Sequence, residues 1–236
     1  MASYPDASLQ NVIENWWGEK KAGPPERGQL IWAFLPHVHQ QQMILVPKGR
    51  SEPTAHQHAD FEIIPLQSKS PPQAARLPVA GLPHYQGEVS AVYRAKRRPA
   101  LVVSTGGDEV PRSLRTGEAR HQTAATMLVA PYYGVAGGKT AAWRPEFVER
   151  IRRCEYPQYM WEKLPFPGKQ ESVLRLDQIQ PLGRHGSAFE ATGFRLTGEA
   201  LRLLDEWLDW LLKGEGELSP ETGLSSIREI LLSHDA

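Results

Sequence analysis

Basic residues directly before an apolar segment are the first candidates for chemistry in this chain. Lys96, Arg97 and Arg98 precede the run PALVVS at 99–104, and Arg94 lies two residues before Lys96. A guanidinium group stays charged and donates through a planar fork, so arginines fixed at the mouth of a barrel would bind phosphate. The same residues could instead form a solvated edge beside a buried strand. The residues alone leave both interpretations open.

Two His-x-His pairs are candidates for metal binding. His37 with His39, and His56 with His58, would each direct two imidazoles the same way on a strand, because residues two apart share a face. No cysteine pair accompanies them, and Asp60 is the only carboxylate near the second pair. Polar loop histidines are the commoner explanation of such pairs, so we predict no metal site.

The segment YGVAGGKT at 133–140 ends like a phosphate-binding loop but does not complete the pattern. The pattern needs a glycine five residues before Gly138, where this chain has Tyr133. Pro145 also falls inside the helix that such a loop must begin. A glycine-rich surface loop is the better interpretation. The serines form no Gly-x-Ser-x-Gly elbow, so a hydrolase triad has no support either.

Short strands predominate among the elements that must position these residues. Their signature is a high content of β-branched and aromatic residues between polar or proline-rich segments such as 67–87 and 105–123. The predicted strands are 28–35, 42–46, 61–66, 88–94, 99–104, 124–131 and 172–178. This pattern indicates a mainly β fold with flanking helices (α+β), built on a small antiparallel barrel.

Helices are predicted near both ends of the chain and once in between. Asp6 would cap an N-terminal helix whose apolar face comprises Leu9, Val12, Ile13, Trp16 and Trp17. The later helices are predicted at 144–156, 197–214 and 219–234.

Composition excludes several classes of protein. Lysine plus arginine and aspartate plus glutamate number 27 each among 236 residues, so any nucleic-acid site must come from local clustering. Cys154 is the only cysteine, which excludes an internal disulfide and fits a reducing compartment. The N-terminal stretch lacks the pattern of a signal peptide, and no apolar run is long enough to span a bilayer. We therefore expect a soluble, cytoplasmic protein.

Five blocks of the chain occur in an order that is informative. They are GQLIWAFLP (28–36), KRRPALVVS (96–104), MLVAPYY (127–133), ESVLRLDQIQPLGR (171–184) and GFRLTGEALRLLDEWLDWLL (193–212). This order resembles the MazF/PemK family of toxin ribonucleases. That family has a Gly-Asp-Ile-Trp strand, an Arg-Pro before an apolar strand, a strand ending near Pro-x-Thr, an Asp-Gln-Ile segment and a C-terminal helix. The five blocks together comprise 59 of the 236 residues.

The resemblance implies an SH3-like barrel, often a homodimer, that cleaves single-stranded RNA without a metal or other cofactor. In such enzymes the ribose 2′-hydroxyl attacks the adjacent phosphorus and leaves a cyclic phosphate. The protein must orient the nucleotide and neutralise charge on the phosphorane. The resemblance also implies growth inhibition as a toxin and a cognate antitoxin protein as partner.

The resemblance places particular residues in the site. The arginine of the Arg-Pro motif falls on Arg98, which would stabilise the phosphorane and assist the leaving oxygen. The family's catalytic threonine falls on Tyr133, and Glu88 is a loose counterpart of an acidic residue that often precedes the Arg-Pro. These three are the predicted catalytic residues. The predicted substrate-binding residues are Arg97, Arg94, Ser104 and Gln178.

The chain departs from the family in length, which is about twice the usual. We predict a helical extension at 1–27 and a helical tail at 215–236 on either side of a barrel domain at 28–214. The barrel domain would carry insertions at 37–87, 105–123 and 134–170.

Two further functions remain open beside RNA cleavage. Because Tyr133 replaces the threonine, the barrel could be catalytically weak or inactive and bind RNA or a protein partner. A purely structural subunit is the third hypothesis. Its docking surfaces would be the tryptophans of the terminal helices, Trp16, Trp17, Trp207 and Trp210.

Overall fold

The structure is a computed structural model. It describes residues 8–13, 15–52, 54–55, 58–67, 88–117, 123–135, 143–168, 171–213 and 222–233. The chain divides into two compact units, one of residues 1–34 and 97–236 and the other of residues 35–96. The predicted insertion at 37–87 lies within the second unit.

Antiparallel strands make up most of the described structure, and helices flank them. The strands are β1 (Trp17–Glu19), β2 (Gln29–Pro36), β3 (Met43–Gly49), β4 (Asp60–Pro65), β5 (Ala91–Val92), β6 (Ala95–Ser104), β7 (Thr126–Gly134), β8 (Tyr159–Lys163), β9 (Glu171–Arg175), β10 (Gln180–Gly183) and β11 (Phe189–Leu196). The helices are α1 (Leu9–Val12), α2 (Arg112–Arg115), α3 (Pro145–Arg152), α4 (Gly198–Lys213) and α5 (Gly223–Ser233). The prediction of a mainly β, α+β protein is confirmed.

The larger sheet follows the order β1-β11-β2-β6-β7-β9-β8, and β10 also pairs with β7. Every pair whose register is described is antiparallel. Strand β6 therefore lies in the interior of the sheet, between β2 and β7. Among the described strands, no pairing joins β1 to β8, so the described sheet does not close into a barrel.

The main core of the first unit lies between this sheet and the terminal helices. Helix α4 contributes its buried face, and the sheet contributes residues such as Leu101, Tyr132 and Leu174. The Trp207 indole lies in this core and donates a hydrogen bond to the Pro157 carbonyl at 2.9 Å. The tryptophan-rich helix predicted at 197–214 is thus confirmed as a helix, and Trp207 serves the core.

The second unit contains a three-stranded sheet with the order β4-β3-β5. Its small core consists of Ile44 and Val46 on β3, with Ile64, Leu66 and Val89 packed against them. The strand predicted at 88–94 is longer than the observed β5, which covers only Ala91–Val92.

The N-terminal helix prediction is wrong beyond Val12. Helix α1 ends there, Asn15 adopts a left-handed φ of 56°, and Trp17 begins β1 opposite Leu196. The Trp16 indole donates to the buried Glu162 carboxylate at 2.9 Å. These tertiary contacts outweigh the helical spacing of the apolar residues, because local propensity is a weak preference.

The basic run at 94–98 also differs from the prediction. The predicted strand began at Pro99, but β6 begins at Ala95 and includes Arg97 and Arg98. The region predicted as one strand at 172–178 is β9 followed by a 3₁₀ turn at Leu176–Gln178. The predicted insertion at 134–170 supplies α3 and β8. Within the described part of the chain, no helix is long and apolar enough to cross a membrane.

Candidate functional site

Arg98 and Tyr133 face each other across the central strands of the large sheet. The β6–β7 register pairs Ala100 with Pro131, and its continuation by two residues places Arg98 opposite Tyr133. The guanidinium carbon of Arg98 lies 4.0 Å from the centre of the Tyr133 ring. Arg98 is only 7% exposed, which is unusual for an arginine and indicates a fixed side chain.

A bulge opposite β7 brings a third predicted residue to this pair. Tyr132 pairs with Leu174 on β9, whereas Val129 pairs with Gln180 on β10. Strand β7 therefore advances by three residues, from Val129 to Tyr132, where the facing segment advances by six residues, from Leu174 to Gln180. The facing segment thus contains three extra residues. The 3₁₀ turn at Leu176–Gln178 contains these extra residues. Bulges of this kind are common next to functional sites, where they redirect a side chain. The Tyr133 hydroxyl donates to Oε1 of the buried Gln178 at 2.6 Å.

Arg175 is a second guanidinium at the same tyrosine. Its guanidinium carbon lies 5.6 Å from the Tyr133 ring centre and 4.9 Å from that of Tyr159. Its Nε and terminal nitrogen donate to the two Asp177 carboxylate oxygens at 2.7 and 2.6 Å. Burial acts to lower the pKa of Arg175, but the Asp177 hydrogen bonds and charge outweigh it, so this pKa is raised. Arg175 is therefore a cation held in a set orientation.

The electrostatics of Arg98 differ from those of Arg175. Burial lowers the pKa of the Arg98 guanidinium, and the neighbouring Tyr133 phenol acts in the opposite direction. A guanidinium remains protonated at neutral pH in either case. Because the surrounding protein replaces water around this charge, its attraction for an approaching anion is stronger than at an exposed site. The pair can therefore hold an anion such as a phosphate.

Arg97 lies apart from this pair. Successive side chains on a strand point to opposite faces, so Arg97 leaves β6 on the face opposite to Arg98. There it forms an ion pair with Glu190 at 2.5 Å and lies over the Trp32 ring, 4.8 Å from its centre. The structure thus places Arg97 in a surface ion pair instead of beside the Arg98 guanidinium.

Ser104 lies at the other end of the same strand. It is six residues from Arg98, or about 20 Å at the rise of an extended strand. Its Oγ accepts a hydrogen bond from the Gly106 amide at 3.1 Å and so stabilises the turn after β6. Ser104 therefore has a structural role in this turn.

The remaining predicted residues belong to the second unit. Glu88 and Arg94 are both exposed. The carbonyl of Arg94 accepts a hydrogen bond from the His37 amide at 2.8 Å. Of the seven predicted site residues, the first unit brings together Arg98, Tyr133 and Gln178.

Sequence reasoning missed Arg175, Asp177 and Tyr159. Arg175 and Asp177 stand beside Gln178 in the segment RLDQ, so the block itself contained the signal. Tyr159 gave no such signal, because β8 lies in a predicted insertion and only the β8–β9 pairing brings it to Arg175.

The sequence contains two other motifs, the His-x-His pairs and the Gly-Lys-Thr segment. The rings of His37 and His39 meet edge to face with their centres 5.7 Å apart. His56 and the Gly-Lys-Thr at 138–140 lie outside the described residues. Among the residues that are described, no group of three or more His, Cys, Asp and Glu is placed to hold a metal ion.

No protein-family model matches the chain, and no curated protein matches it in sequence.

Proposed function

We propose that this protein is a MazF/PemK-like endoribonuclease that cleaves single-stranded RNA at the Arg98–Tyr133 pair. The observation that carries the proposal is the buried Arg98 guanidinium, stacked 4.0 Å from the Tyr133 ring centre. A rigid, partly dehydrated cation beside a hydroxyl is the equipment that a metal-independent phosphoryl transfer needs. The order of sequence blocks around Arg98 and Gln178 supports the same function.

The chemistry is an internal transfer at phosphorus. The ribose 2′-oxygen attacks the adjacent phosphorus and loses its proton to water, while the bond from phosphorus to the 5′-oxygen breaks. The products are a 2′,3′-cyclic phosphate and a 5′-hydroxyl. Arg98 would neutralise the charge that develops on the phosphorane oxygens. Tyr133 would turn its hydroxyl from Gln178 and donate the proton that the leaving 5′-oxygen needs, then regain one from water.

The proposal includes an SH3-like curvature of the β2-β6-β7 region, assembly as a homodimer and a cognate antitoxin as partner. Light scattering tests the assembly directly, because one chain has a mass of 26.4 kDa. A mass of twice this value at micromolar concentration is expected, and a monomer throughout that range would contradict the dimer.

Binding of RNA without cleavage is the second candidate function. Tyr133 occupies the position of the family's threonine, and its hydroxyl already donates to Gln178 at 2.6 Å. Both facts favour a weakened or inactive centre. If the natural protein does not cleave RNA but Tyr133→Thr does, the binding function is the correct one.

Cleavage in the presence of EDTA tests the proposal. A long single-stranded RNA is incubated with the natural protein, with Arg98→Ala and with Arg195→Ala as a matched control. Arg195 is a suitable control because it is about half exposed and pairs with Glu26 at 2.9 Å, away from Tyr133. We expect cyclic-phosphate ends from the natural protein and the control. Equal cleavage by Arg98→Ala would show that the site is wrongly placed.

A further inference from the structure

Four half-buried aromatic side chains form a cluster beside Arg175. The aromatic cluster, as we define it, consists of Trp143, Phe147, Tyr156 and Tyr159. Trp143 and Phe147 are stacked, with ring centres 5.5 Å apart and planes inclined by 10°. Tyr159 meets the edges of Phe147 and Trp143 at 5.5 and 6.0 Å. The four rings therefore form one continuous aromatic surface.

The aromatic cluster is fixed from below by a small core of its own. Helix α3 supplies Val148 and Ile151 to this core, and the strands supply Trp161 and Val173. All four of these residues are buried. Rings that are anchored on one side and partly open on the other lose little conformational freedom when a planar ligand stacks on them.

Guanidinium groups stand at two sides of the aromatic cluster. Arg175 lies 4.9 Å from the Tyr159 ring centre and also faces Tyr133, so it connects the cluster to the Arg98 pair. Arg150 lies 4.9 Å from the Tyr156 ring centre, and its Nε donates to the Glu155 carboxylate at 2.7 Å. Cations and aromatic faces thus alternate along this side of the unit, from Arg98 through Tyr133, Arg175 and Tyr159.

We propose that the aromatic cluster is a stacking subsite for a base of single-stranded RNA whose phosphate lies at Arg98. The inference rests on the proposed function and extends it. Aromatic rings bind bases because every base has a π face, and neighbouring arginines complement the charge of the connecting phosphates. Charge complementarity favours a nucleic acid over an apolar peptide, because an apolar peptide has no negative group for Arg98. The charge of Arg175 is already offset by Asp177, so Arg175 contributes its position between the two tyrosine rings. The α3 and β8 segment therefore extends the substrate site.

Binding of a short RNA tests the subsite separately from cleavage. The probe is a labelled eight-nucleotide RNA with 2′-O-methyl groups, which cannot be cleaved, and the readout is fluorescence anisotropy in EDTA. Loss of one stacked base costs about 5- to 150-fold in affinity, so Tyr159→Leu should weaken binding within that range. Tyr159→Phe keeps the ring and should stay within about twofold of the natural protein. Phe34→Leu changes an aromatic residue that is 66% exposed outside the cluster, and it should bind like the natural protein.

An abasic series identifies stacking as the cause. Removal of one base at a time should weaken binding to the natural protein at one position. Removal of the base at that position should not weaken the binding of Tyr159→Leu any further, because this variant has already lost the stacking contact. Equal losses in the two proteins would overturn the subsite. If Tyr159→Leu does not show the thermal unfolding of a folded protein, Trp143→Leu takes its place in the same series.

Saturation-transfer difference NMR with free adenosine distinguishes the stacking subsite from the proposed endoribonuclease function. A nucleoside has a base that can stack but no phosphate that Arg98 could bind. We expect transfer from the natural protein and from Arg98→Ala, and none from Tyr159→Leu. Adenosine transfer together with RNA binding, but without cleavage of a natural RNA, would leave the subsite standing and refute the proposed function. Transfer without any RNA binding would overturn the subsite as a site for RNA. RNA binding that depends on Arg98 but not on Tyr159, with no adenosine transfer, would refute the subsite alone.

Discussion

The guanidinium carbon of Arg98 lies 4.0 Å from the centre of the Tyr133 ring, across the antiparallel strands β6 and β7. Arg98 is buried, and the Tyr133 hydroxyl is anchored by Gln178. The two side chains therefore restrict each other, so a change in one alters the position of the other.

Arg98 should not be replaceable by lysine. Arg98→Ala removes the cation at the phosphorane, and loss of one such donor lowers the rate of cleavage by about 10²- to 10³-fold. Arg98→Lys restores the charge but not the planar group that stacks on Tyr133, so it should recover little of this loss. Initial rates of RNA cleavage in EDTA give the comparison. Recovery to the natural rate with lysine would contradict a role for the guanidinium plane.

Tyr133→Phe should separate catalysis from binding. The ring under Arg98 remains, so affinity for an uncleavable RNA should change by less than about threefold. The hydroxyl proton is lost, so cleavage should fall by about 10²-fold or more. Gln178 no longer accepts the hydrogen bond from the Tyr133 hydroxyl in this variant, and we expect about 1 kcal/mol less stability. An unchanged cleavage rate would exclude the tyrosine hydroxyl from the reaction.

Glu162 should make stability depend on pH near neutrality. Its side chain is buried and accepts hydrogen bonds from the Trp16 indole and the Tyr132 hydroxyl, both at 2.9 Å. Burial raises the pKa of Glu162 from 4.5 to about 7, although both hydrogen bonds act to lower it. The folded protein therefore binds more protons than the unfolded chain between these pH values. The free energy of unfolding should fall by up to about 3 kcal/mol as pH rises through this window.

Glu162→Gln tests this pH dependence. The amide has nearly the same shape and does not titrate, so the free energy of unfolding should become flatter between pH 5 and pH 8. Urea denaturation at several pH values measures it. Glu199→Gln, at an exposed position in the first turn of α4, should keep the natural dependence. Parallel curves for Glu162→Gln and the natural protein would contradict the prediction.

Two neighbouring glycines provide a matched test of the turn after β6. Gly106 and Gly107 both adopt left-handed φ angles, of 78° and 81°. A Cβ at Gly106 would lie 2.0 Å from the Thr126 carbonyl oxygen, whereas one at Gly107 would meet nothing within 4 Å. Alanine at either position costs about 1 kcal/mol through the backbone angle. Gly106→Ala should cost about 2 kcal/mol more, because the backbone must shift. Chemical denaturation of both variants measures the difference.

Local pattern was sufficient for most of the individual elements. The apolar run in β6, the strand leading to Tyr133 and helix α4 were predicted from residue type and spacing. The N-terminal helix was overextended because the spacing of Trp16 and Trp17 also suits a helix, and only pairing with β11 and the contact to Glu162 decide otherwise. The spacing of apolar residues in one segment carries no information about a distant strand that can pair with that segment and so prevent a helix.

The sequence by itself determined that an apolar strand segment would follow Arg98, that a strand at 124–131 would lead towards Tyr133, and that no internal disulfide is possible. The tertiary structure alone decided which side chains meet. Strand alternation and register separate Arg97 from Arg98 and set Arg98 opposite Tyr133. The three-residue excess opposite β7 brings Gln178 to the Tyr133 hydroxyl, and β8 brings Tyr159 to Arg175. Register and bulges depend on contacts between distant segments, and a single sequence does not state those contacts.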